Sequence, residues 1–81
     1  MKITYDREAD ATYLQIVESI PPGEAVRQIQ VADDGNVRGQ FILDFGSDGK
    51  LLGLEVVFAS EALPSALLEA AEHGGSSYLS P

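Results

Sequence analysis

Eighty-one residues make one small domain, and 13 carboxylates against 5 lysines and arginines leave a formal net charge of −8. A chain of this size buries only about 60–65% of the surface its unfolded form exposes, so its core is thin. No cysteine is present, which excludes a disulfide framework and a thiolate metal site, and the scattered Lys2, Arg7, Arg27, Arg38 and Lys50 form no basic stripe of the kind that neutralises phosphates, so nucleic acid is not an expected partner.

At the N-terminus Ile3 and Tyr5 alternate with polar neighbours and run straight into Asp6-Arg7-Glu8. That is not a signal-peptide pattern, and no apolar run reaches membrane-spanning length, so the expectation is a cytoplasmic protein with no membrane partner. Ala11 to Val17 resumes the alternation, predicting a first hairpin around Asp6–Asp10 in which Ile3 lies beside Leu14 and Tyr5 beside Thr12. Asp6 is placed to cap the connection by accepting N–H groups two or three residues on.

Pro21-Pro22-Gly23 stops the second strand, because neither proline donates to a ladder. Glu24 to Val31 is a third strand of weaker alternation, with Ala25, Arg27, Ile29 and Val31 on one side, and therefore an edge. Asp33-Asp34-Gly35-Asn36 marks a turn, and a fourth strand begins between Val37 and Phe41. The most regular stretch follows, from Gln40 to Phe58. Asp48-Gly49 supplies positive backbone angles for a two-residue hairpin turn, which sets Phe45 opposite Leu52, Leu43 opposite Leu54 and Phe41 opposite Val56.

After Phe58 the apolar period lengthens from two to about 3.6. Pro64 suits a first helical turn, Ser65 to Glu72 are mostly good helix formers, and Leu63, Leu67, Ala70 and Ala71 make a stripe that can cover one sheet face. His73-Gly74-Gly75 is read as the helix end, with the imidazole near the negative pole of the dipole. The expected architecture is α+β: an antiparallel β-meander of four to five strands with a C-terminal α-helix packed on one face, a single domain over 1–73 and a flexible tail over 74–81.

Two motifs, Tyr5-Asp6-x-x-x-Asp10-Ala11-x-Tyr13 and Ile42-Leu43-Asp44-Phe45-x-x-Asp48-Gly49-Lys50-Leu51-Leu52-Gly53-Leu54-Glu55-Val56, resemble the YuzE-like family of small bacterial proteins, Domain of Unknown Function 2283. The resemblance runs from Met1 to about Leu68 and implies a compact meander followed by a helix. It carries no established activity. Its members' position beside genes for small toxin-like proteins implies an antitoxin-like role. Gly46 departs from the acidic residue common at that position, which weighs against a loop ligand there, and Asn36 to Gln40 is slightly longer than usual.

Candidate site residues fall in three groups. Asp44 and Glu55 lie diagonally on the sheet side opposite the phenylalanines, where a carboxylate pair suits a divalent cation, a small molecule or acid–base chemistry; pairing of Asp44 with its loop and of Glu55 with Arg27, Arg38 or Lys50 is the structural alternative. Gly53, opposite Asp44, makes room for a neighbouring side chain. Asp6, Glu8 and Asp10 alternate like calcium ligands but lack the glycine and distal glutamate of that loop. Tyr13, with Tyr5, offers an aromatic platform.

Ile42, Leu51 and Val57 place hydrocarbon on the second sheet face, which one helix cannot cover, and so mark an interface. The sole histidine, the missing Gly-x-Ser-x-Gly elbow and the missing phosphate loop leave no catalytic residue, metal or cofactor to assign. The expectation is a non-enzymatic, homo-oligomeric protein-interaction module with itself or a basic protein as partner.

Overall fold

The computed structural model describes residues 1–32, 34–73 and 77–78. The chain forms β1 (Lys2–Asp6), β2 (Ala11–Gln15), β3 (Arg27–Gln30), β4 (Gln40–Phe45), β5 (Leu51–Val57), α1 (Ala59–Ala62), α2 (Ser65–Ala70), β6 (Glu72–His73) and β7 (Ser77–Tyr78). Five antiparallel strands lie in the order β3-β4-β5-β2-β1, and β6 and β7 add short stretches to the outer edge of β1. The longest and most apolar strand, β5, takes the centre, while β3, polar at three of its four positions, takes an edge. Strands β3, β4 and β5 run as a meander, and β5 then returns beside β2, joining the two hairpins.

The first hairpin has the expected register, Ile3 against Leu14 and Tyr5 against Thr12. Asp6 caps its connection by accepting the N–H groups of Glu8 at 3.0 Å and Ala9 at 3.3 Å. The central hairpin also keeps its expected register from Gln40 to Asp44, but the loop differs. Gly49 alone has a positive φ, of 80°, and its N–H reaches the Gly46 carbonyl at 2.9 Å while the Gly46 N–H reaches Lys50 at 3.0 Å. The connection is therefore Ser47-Asp48-Gly49, with one left-handed residue in place of two. The extra loop residue is absorbed by a bulge, so Phe45 pairs with Leu51 and Leu52 has no cross-strand partner.

Burial is concentrated on one side of the sheet. Ile3, Thr12 and Val56 are nearly inaccessible there, together with Ala59 and Ala71 from the segment that crosses above them. The other side, carrying Thr4, Tyr13, Glu55 and Ile42 in one cross-strand row, has no helix over it among the described residues.

The single expected helix is two short ones. Leu63 is extended, with φ −113° and ψ 149°, because the ring of Pro64 disfavours the helical region for the residue before it. Pro64 then caps α2, which ends at Ala70 and not at Glu72. Glu72 and His73 are extended and pair in parallel with Thr4 and Tyr5, so His73 does not sit at a helix terminus. The free edge of β1 explains the change, since its outward backbone groups need partners that a longer helix would not provide. Within the apolar stripe, Ala71 is buried and Ala70 is exposed. Of the segment read as a tail, Ser77 and Tyr78 pair with Ile3 and Lys2, and residues 74–76 and 79–81 lie outside the described ones.

Candidate functional site

The open sheet side holds the polar cluster. Register places Tyr13 opposite Glu55 on β5, and Gly53 between Gln15 on β2 and Asp44 on β4. Tyr13 leans across the strand between them and donates its hydroxyl proton to Asp44 Oδ2 at 2.9 Å. The path is open because position 53 has no side chain: a Cβ there would collide with the Tyr13 hydroxyl and ring carbons. The room at Gly53 is thus filled by Tyr13.

Asp44 is 9% exposed, and its Oδ1 is buried without a partner among the described residues. Burial pushes the Tyr13 hydroxyl up to about 12, helped by the bond to Asp44 and by the negative charges of Asp44 and Glu55. A phenol so shifted stays neutral and donating across the ordinary pH range. Arg38, one expected partner for Glu55, instead lies 3.9 Å from Glu61.

Asp6 and Asp10 are occupied by the fold. Asp10 has a positive φ of 49°, and its Oδ1 accepts the Tyr5 hydroxyl at 2.8 Å and the Ser60 N–H at 2.9 Å, while Oδ2 accepts the Ser60 hydroxyl at 2.7 Å. The Asp10 carbonyl also accepts the Ala59 N–H at 2.9 Å. These contacts staple the first hairpin to the start of α1, 50 residues away in sequence. The hydrogen bonds from Ser60 and then Tyr5 hold the Asp10 carboxyl below the usual range, and the bond to Asp10 raises the Tyr5 hydroxyl. Tyr5 and Tyr13 lie on opposite sides of the sheet, so they do not form a common platform.

No group of three or more histidine, cysteine, aspartate or glutamate side chains is arranged to hold a metal ion among the described residues. Ile42, Leu51 and Val57 are half-buried, with Ile42 and Val57 in the rows of the open side and Leu51 beside the bulge. Two features were not assigned from sequence. Ser60 gives no local signal of its bonds to Asp10. The exposed hydrocarbon is densest on β3 and around it, at Val26, Ile29, Val31, Val37 and Phe58, where the weak alternation of residues 24–31 and the lack of proline or lysine were the available signs.

The fold and the cluster define a small α+β domain in which Asp6, Asp10 and Asp44 accept hydrogen bonds from its own chain. The chain belongs to the family described as Protein of unknown function (DUF2283), whose model matches residues 2–60. That match takes in both hairpins, Gly53, and the Asp10–Ser60 staple. No curated protein and no solved structure matches the chain. No helix among the described residues is long and apolar enough to cross a membrane.

Proposed function

We propose that this protein is a non-enzymatic, homo-oligomeric protein-interaction module. The observation that carries the reading is the grouping of exposed hydrocarbon at one end of the sheet. Val31, Val37 and Phe58 line one surface depression, and Val26 and Ile29 line the next, on either flank of β3. A domain with so few buried apolar side chains gains stability when such surface is covered. The protonation behaviour of Tyr13 on the open face and of Asp10 in the first connection supports the non-enzymatic part. Tyr13 is moved away from neutrality, and Asp10 is committed to three donors, so neither is poised as an acid or base near pH 7.

Light scattering coupled to size exclusion at micromolar protein tests the reading. A mass of twice the chain or more is expected, and a folded monomer throughout rejects it. A narrower form, neutralisation of a basic toxin-like protein, is supported by the net charge of −8 and is tested by co-purification with the product of the neighbouring gene.

The second reading, a divalent-cation or small-molecule site at Asp44 and Glu55, is favoured by the unpartnered Asp44 Oδ1. A rise in melting temperature with added magnesium or calcium is its expected signature, because a ligand held only by the native state stabilises it.

A further inference from the structure

We infer that two copies of this chain associate by pairing β3 with β3 about a two-fold axis through Ile29, which continues the sheet from one subunit to the next. The inference rests on the interaction-module reading and adds the surface, the partner and the register. Every residue of β3 is exposed, and Val26, Ile29 and Val31 are 59%, 45% and 47% exposed. The strand is short and opens on the charged Arg27, but from Gln28 to Val31 it carries no proline, lysine or other charge.

The register follows from the ladder. The Val31 N–H donates to the Phe41 carbonyl at 2.9 Å, and residues 27 to 30 pair in order with 45 to 42. Hydrogen-bonded and non-hydrogen-bonded pairs alternate in an antiparallel ladder. Residues 27, 29 and 31 therefore turn their backbone groups toward β4, and Gln28 and Gln30 turn theirs outward. An axis through Ile29 sets Gln28 against Gln30 of the second copy, and Gln30 against its Gln28. Four backbone hydrogen bonds form inside the strand. Shifting the axis to Gln28 or Gln30 leaves only one such pair within β3.

The sequence is symmetric about the same point. Gln28-Ile29-Gln30 reads alike in both directions, so the two-fold sets a glutamine against a glutamine on either side of Ile29. Ile29 then meets Ile29 on one side and the glutamine amides meet each other on the opposite side. Charge points to the same occupant. None of the 13 carboxylates falls between Ala25 and Ala32, so two chains of net charge −8 can appose this strand where they would repel elsewhere. Because the remaining repulsion is long-range, salt screens it and tightens the dimer.

The test uses the full chain and its natural lack of cysteine. In the proposed register the two Ile29 Cα atoms stand about 4.5 Å apart, within disulfide range. Ile29→Cys is expected to cross-link to a covalent dimer under mild oxidation, and Gln30→Cys to cross-link at least tenfold less. Ile29→Lys sets like charges directly opposite one another and is expected to give a folded monomer by light scattering and far-ultraviolet circular dichroism. Ile29 is half-exposed, so the lysine has room to reach water. Cross-linking favoured at Gln30 overturns the register. A wild-type dimer that survives Ile29→Lys and shows no Ile29→Cys cross-link overturns the β3 interface and leaves the interaction-module reading standing. A wild-type monomer overturns both, and association only with a different, basic protein, weakened by salt, overturns the self-pairing.

Discussion

Gly53→Ala is the sharpest probe of the open face, because its sign depends on a single contact. In an unconstrained strand the change is favourable by about 0.4–1 kcal/mol, since alanine reduces the freedom of the unfolded chain. Gly53 is not among the residues of positive φ, so its backbone accepts alanine. The added methyl, however, occupies the space of the Tyr13 hydroxyl end. The ring can swing aside, and the cost is then the hydrogen bond to Asp44 and not a rigid clash. A hydrogen bond to a charged group contributes about 1.5–3 kcal/mol. Subtracting the backbone gain leaves a net loss of about 1–2 kcal/mol, or roughly 5–15 °C in melting temperature for a domain of this size.

Urea unfolding followed by circular dichroism at one fixed protein concentration reads this directly. Tyr13→Phe completes a double-mutant cycle. Once the hydroxyl is gone, Gly53→Ala should no longer cost that hydrogen bond, giving a coupling of about 1.5–3 kcal/mol. Additive effects, or a Gly53→Ala protein at least as stable as the wild type, would refute the assignment of Tyr13 to the space above Gly53.

Two further outcomes follow from proton linkage. The Tyr13 hydroxyl is raised to about 12 in the folded chain, so its contribution is fully present below the unfolded value near 10 and is lost as pH rises through the folded one. Absorbance titration of the three tyrosines should show a late step that Tyr13→Phe removes, and the variant should lose less stability between pH 10 and 12. The Asp10 carboxyl is lowered, so its contribution is present above the unfolded value and disappears as pH falls from about 4 through the folded one. Acid unfolding of Asp10→Asn should therefore be flatter than that of the wild type below pH 4, and an identical slope would show that the Asp10–Ser60 staple carries no stability.

Local sequence determined the parts of this protein whose physics is local. The Asp6 cap, the pairing of Ile3 with Leu14, the register from Gln40 to Asp44 and the edge character of β3 all follow from side-chain period and turn chemistry. Even Gly53 was legible as a place where something must fit. What fits there was not, because Tyr13 arrives from a strand 40 residues earlier, and only the pairing of β2 with β5 brings it near.

The same holds for Asp10 and Ser60, whose bonds exist only when α1 lies against the first hairpin. Helical propensity from Ser65 to Glu72 gave way at its end to the unpaired edge of β1, an energy term that no window of local sequence contains. Sequence alone set the five main strands, the register of the first hairpin and that of the central hairpin as far as Asp44, but not its three-residue loop and bulge. Tertiary structure decided the strand order and the partners of the carboxylates, since contacts between distant segments form only once the sheet has closed.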